Sequence, residues 1–173
     1  MLTVKLLHYG MSSWEIEVLY EMLNNKFQVY LKEIEQDEDN IFLSIIKLDI
    51  SIAFNKFFNW FGLQQWDKLK SMFKEIKRRR GKNNSIKITI CFIDTIQIIF
   101  IVDVEEISKF NLAIDKISFV LELLPYHLDQ AKFPKNVIKI NYIFDMHDDR
   151  WIANAITPKQ KFVFINKSWK LSK

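Results

Sequence analysis

The sequence predicts one α/β domain of the α+β type over residues 1–173. It would be built on a single mixed, largely antiparallel sheet with three main helices, in the order β-α-β-β-α-β-β-α-β-β-β. Three observations lead there. Short runs rich in Ile, Val and Phe alternate with stretches whose apolar residues recur in steps of three and four. Several neighbouring strand-like runs are separated by only a few polar residues, and such connections demand hairpins and therefore antiparallel pairs. Apolar residues make up 49 % of the chain with no linker or low-complexity tract, enough for one sizeable core.

The elements follow in order. TVKLLHY (3–9) is a mixed apolar strand, and Gly10 and Met11 turn the chain. Ser12 with Glu15 three residues on forms a capping box for a helix running to about Asn24. FQVYLKEIE (27–35) and IFLSIIKLD (41–49) are strands, and the acidic loop QDEDN between them would close a hairpin. Asp49 or Ser51 would cap a helix on which Phe54, Phe57, Phe58 and Phe61 share a face. Gly62 should break or bend this helix. Trp66, Leu69, Phe73 and Ile76 continue its period to Lys77, and Arg78–Arg80 followed by Gly81 end it.

IKITICF (86–92) and IQIIFIV (96–102) are strands joined by a short turn at Ile93-Asp94-Thr95. The second is apolar on both faces and so belongs near the centre of the sheet. Asp103 and Glu106 suggest another capping box. The stripe Ile107, Phe110, Ile114, Ile117, Leu121, Leu124 predicts one helix that Pro125 closes. NVIKINYIF (136–144), RWIANAI (150–156) and KFVFINKSW (161–169) complete the sheet.

Several chemistries drop out. The three glycines, Gly10, Gly62 and Gly81, are too few and too scattered for a dinucleotide loop, a P-loop or a nucleophile elbow. The single cysteine, Cys91, excludes an internal disulfide and a cysteine-based zinc site. Inside ICFI it is expected to be a buried, inert thiol. No apolar run approaches the ~18 residues that span a bilayer, and no signal peptide is read at the start. A cytoplasmic setting without a cofactor is therefore expected.

Charge alternates in blocks: −4 over residues 1–60, +7 over 61–90, −5 over 91–130 and +6 over 131–173. A net charge of +4 arranged in this way is a poor signature of nucleic-acid binding.

Three stretches could carry chemistry. In DMHDD, Asp145 and His147 would share a strand face about 7 Å apart, with Asp149 as a further metal ligand. The same residues suit a hairpin loop, because Asp carboxylates accept nearby backbone N–H groups. In HYGMSS, Gly10, Ser12 and Ser13 at a helix start could hold an anion, with His8 as an acid or base, unless they simply cap the helix. In KEIKRRRGK, Arg78, Arg79 and Arg80 suit phosphate or carboxylate partners. His127 is taken as a loop residue.

The expectation is a non-enzymatic protein-interaction domain. One form of it is a bacterial toxin-neutralising, immunity-type protein whose Asp37, Glu38 and Asp39 or Arg78–Arg80 meet a partner of opposite charge. The alternatives are a nucleic-acid binder using Arg78–Arg80 and a metal-dependent hydrolase using Asp145, His147 and Asp149.

Overall fold

The computed structural model describes residues 1–36 and 41–173. Its elements are β1 (Thr3–Tyr9), α1 (Ser13–Asn24), β2 (Gln28–Glu33), β3 (Ser44–Ile50), α2 (Phe54–Phe61), α3 (Leu63–Arg80) and β4 (Ile86–Phe92). After these come β5 (Gln97–Val102), α4 (Ile107–Asp115), α5 (Val120–His127), β6 (Lys139–Asp145), β7 (Arg150–Ile156), β8 (Lys161–Ile165) and β9 (Ser168–Leu171). All nine strands form one mixed sheet in the order β2-β1-β3-β4-β5-β6-β7-β8-β9.

Its grammar is simple. Each parallel pair, β1–β2, β3–β4 and β5–β6, is joined by a helical crossover, the long route that parallel strands need. The pairs β4–β5, β6–β7, β7–β8 and β8–β9 are antiparallel, each joined by a short turn. The predicted fold class therefore holds, with β5 in the middle of the sheet.

Several details differ from the sequence reading. β2 and β3 do not form a hairpin, because β1 lies between them, parallel to β2 and antiparallel to β3. The strands were read correctly, but helix α1 sends β2 to the far side of β1. There are five helices rather than three. Gly62, at φ 91°, separates α2 from α3, a conformation open to glycine at little cost. The stripe from Ile107 also divides, into α4 and α5, and Pro125 lies inside α5 instead of ending it. Pro125 is the sixth of the eight residues of α5, past its first turn, so it removes one backbone donor from a short helix without ending it.

The Asp103–Glu106 box does not form, since the N-cap Glu106 makes no side-chain cap bond. Nor does Asp49 or Ser51 cap α2. Its N-cap is Ala53, and the Ser51 hydroxyl accepts the Thr3 N–H at 2.7 Å. Finally, residues 161–169 split at Asn166 and Lys167, both at positive φ as a tight two-residue hairpin turn requires.

All five helices contribute to one contiguous core on one face of the sheet. Strand residues on that face are fully covered, including Leu6, Leu48, Ile88, Phe100 and Tyr142. The aromatic payload is concentrated there. Phe57 packs against Phe61, Trp66 and Phe92, and Phe100 stacks on Tyr142 at 4.8 Å between ring centroids. Among the described residues no helix is long and apolar enough to cross a membrane.

Candidate functional site

DMHDD is the β6–β7 hairpin. Asp145 is the last residue of β6 and faces Arg150, the first of β7. Its Oδ1 accepts the N–H of His147 at 2.8 Å, the local bond for which Asp is common in turns. The His147 side chain is 94 % exposed, and its nearest acid is Asp148 at 3.8 Å. Asp149 points elsewhere: its carboxylate accepts from Lys109 Nζ at 2.6 Å and its backbone oxygen from Lys116 Nζ at 2.6 Å. Asp145, His147 and Asp149 are thus engaged separately. Among the described residues no three His, Cys, Asp or Glu side chains gather as metal ligands do.

The loop 8–13 is a built electrostatic node. Gly10 sits at φ 65° with its Cα against the chain before β3. A Cβ there would lie 2.0 Å from the Leu43 carbonyl oxygen, so only glycine fits. The capping box forms as read: the Glu15 N–H donates to Ser12 Oγ and the Ser12 N–H to Glu15 Oε2. Glu15 is buried, and Arg80 grips its carboxylate with two guanidinium nitrogens, at 2.8 and 2.5 Å. Arg80 Nε also donates to Ser44 Oγ at 2.8 Å, and Ser44 donates to the Gly10 carbonyl. Burial alone would raise the Glu15 carboxyl, but the bonds from Arg80 and Ser12 outweigh it and hold it below its usual range. The anion at the Ser12 N–H is therefore the protein's own Glu15. Ser13 begins α1, and His8 lies on β1 between Glu33 and Ile46.

Arg78–Arg80 do not act as one patch. Arg80 belongs to the node. Arg78 and Arg79 both hold Glu75, whose carboxyl their hydrogen bonds pull down to about 2, and Arg79 lies over the Trp14 ring at 4.6 Å. Trp66 is buried as its place in the stripe required. Trp60 is half exposed and donates to the Lys26 carbonyl. Asp37, Glu38 and Asp39 lie outside the described residues.

His127 is not a loop residue. It ends α5, buried beneath the last hairpin, with Nδ1 2.8 Å from the Tyr142 hydroxyl and its ring against Phe164. Burial pushes its pKa down to about 4, so the ring is neutral at pH 7, and the same burial raises the Tyr142 hydroxyl. Cys91 is a buried free thiol. Burial, and then the charge of Asp49, push it up to about 11, far from the range of a reactive thiolate.

What the sequence reading did not find is the face of the sheet opposite the helices. The register puts Ile99, Ile101, Ile143, Ile152, Ile156 and Val163 together on it. Among the described residues no helix covers this face. Lys47, Lys87, Lys139, Lys161 and Lys170 occupy its neighbouring positions, against Asp49 and Asp145. The signal was present as alternation in β3 and β6, broken at Ile45 and Ile143, but the run 96–102, apolar at every position after Gln97, reads as covered on both sides.

One cleft adjoins this face. β7 and β8 pair only from Asn154 to Ile156, and beyond that they part around a space of ≈ 590 Å³. The chain matches no protein-family model, no curated protein and no solved structure.

Proposed function

We propose that this chain is a protein-binding domain whose recognition surface is the helix-free face of its sheet. The observation that supports this most directly is the make-up of that face: β-branched apolar residues around the central Asn141–Asn154 pair, and mainly lysines bordering them. An apolar centre with a charged rim is the anatomy of a protein interface. The cation excess calls for a partner whose own rim is acidic, and charge of this kind steers encounter and rejects wrong partners. A sheet that binds single-stranded nucleic acid presents aromatic rings for base stacking. Here Phe100, Tyr142 and Trp151 all turn to the helix side, which favours protein over nucleic acid.

Toxin neutralisation is one form of this reading, in which the face covers the working surface of an acidic toxin. The test is affinity capture from the native host with the wild type and with Ile143→Lys, which places a charge at the apolar centre on a half-exposed position. The expected result is one specific partner held by the wild type and lost by the variant. Equal capture by both would overturn the assignment of the surface. A dimer in sedimentation that Ile143→Lys dissociates would give the face to a second copy of this chain instead.

A further inference from the structure

The cleft between β7 and β8 has features that a flat docking face does not need. The first is an open backbone edge. Thr157 N–H donates to the Gln160 carbonyl at 2.9 Å, closing the β7–β8 hairpin. Hydrogen bonding across an antiparallel pair alternates, so Ala155 also points its N–H and C=O toward β8. The same alternation turns Ala153 and Trp151 that way. The ladder ends at Asn154↔Val163, whose last bond joins the Phe164 N–H to the Ala153 carbonyl, so the Ala153 N–H and both backbone groups of Trp151 face the cleft with no strand paired to them. Backbone donors and acceptors withdrawn from bulk water call for partners, and an extended chain supplies them in register.

The second feature is the walls. Phe119 and Leu123, just before and within α5, are 61 % and 45 % exposed, and they line the cleft together with Phe164 and Ile165 of β8. The third is charge: Lys116, Arg150 and Lys167 line the cleft with one carboxylate, Asp149, which is already held by Lys109; Lys116 is tied to the Asp149 carbonyl, and Arg150 reaches Asp148 at 3.4 Å on the exposed hairpin. A volume of ≈ 590 Å³ lies within the roughly 300–1,000 Å³ of typical ligand clefts.

We propose that an extended segment of a partner protein, apolar at its centre and acidic at its ends, enters this cleft and pairs with the free edge of β7. The inference rests on the protein-binding reading and specifies how part of the partner is held. Alternate side chains of the segment would fall between Phe119 and Phe164, and its acidic ends would meet Lys167 and Arg150.

The test uses fluorescent acetyl-Glu-Val-Ile-Val-Glu-amide, its lysine-ended counterpart, and a version N-methylated at alternate residues, titrated into the full chain. Saturable binding of the first is expected, with the amide signals of Trp151 and Ala153 shifting in NMR spectra. The other two peptides, and the variants Phe119→Asp and Lys167→Glu, should bind about tenfold more weakly or worse. Both variants alter exposed side chains and should leave the unfolding midpoint unchanged. The proposal is overturned if the first peptide does not saturate, if the methylated peptide binds equally well, or if Phe119→Asp makes no difference. If Phe119→Asp captures the host partner as well as the wild type while Ile143→Lys does not, the cleft is dispensable and the sheet face stands alone.

Discussion

The two faces of this sheet are made by the same nine strands and are chemically opposite. On β5 and β6, Phe100 and Tyr142 turn to the helices, where they stack on each other, Phe100 meets Trp151 edge-on, and both are closed off from water. Their chain neighbours Ile99, Ile101, Asn141 and Ile143 turn the other way. Aromatic area is thus spent where helices can cover it, which lets one helical layer stabilise a wide sheet. The open face receives β-branched residues, which suit strands whether or not anything lies on top of them. Stability resides on the covered side, and the open side is the one proposed to meet a partner.

The largest effect expected from breaking this division is on the covered side. Phe100 is fully buried and touches Phe54, Phe92, Tyr142 and Trp151. Phe100→Ala should cost about 3–5 kcal/mol in denaturant unfolding, from lost transfer energy and an unfilled cavity. A loss under about 1 kcal/mol would mean that the helix layer collapses onto the gap, and the contrast between the faces would need restating.

A smaller effect separates two histidines. His127 lies on the covered side, where burial holds its pKa at about 4, whereas His147 stands in solvent at the hairpin tip. The unfolded chain protonates His127 near the ordinary value of about 6.5, so below that pH the unfolded state binds the extra proton. Stability from this residue is therefore complete above about pH 6.5 and declines as pH falls toward 4, by about 3 kcal/mol in all. Glu15, whose carboxyl is held below its usual range, adds a loss that begins as pH falls through the ordinary carboxylate range and continues below it. His127→Leu should flatten the wild-type slope between pH 6.5 and 4.5 in urea titrations, and His147→Ala should leave it unchanged. Parallel slopes for wild type and His127→Leu would show that His127 takes up its proton in the folded state.

The sequence carried the elements well and their neighbours poorly. Periodicity marks a strand or helix because it depends on residues a few places apart. That is why the capping box at Ser12 and the breaks at Gly62 and Gly81 read correctly. The place of β1 between β2 and β3 depends on where a crossover lands, which no local pattern encodes. Arg80 looked like part of a basic run because its carboxylate, Glu15, is 65 residues away. His127 reads as a loop residue because Pro125 precedes it, yet Tyr142 and Phe164 arrive from strands later in the chain. The open sheet face was legible only as alternation, and alternation says that two faces differ without saying what covers each.

The finest test of the comparison lies within one dipeptide. Tyr142 and Ile143 are consecutive on β6 and point to opposite faces. Tyr142 is fully buried, while Ile143 is 45 % exposed. A charge placed at Ile143 meets water and the lysine-bordered sheet, so Ile143→Lys should shift unfolding free energy by no more than about 0.5 kcal/mol, as ordinary surface changes do. The same lysine at Tyr142 would bury an unpaired cation beside Phe100 and His127, and the chain should fail to fold. Circular dichroism with urea titration reads both outcomes. If Ile143→Lys instead costs more than about 2 kcal/mol, the helix-free face is part of the folded protein's own support. Its apolar centre would then have to be explained by stability before it is explained by a partner.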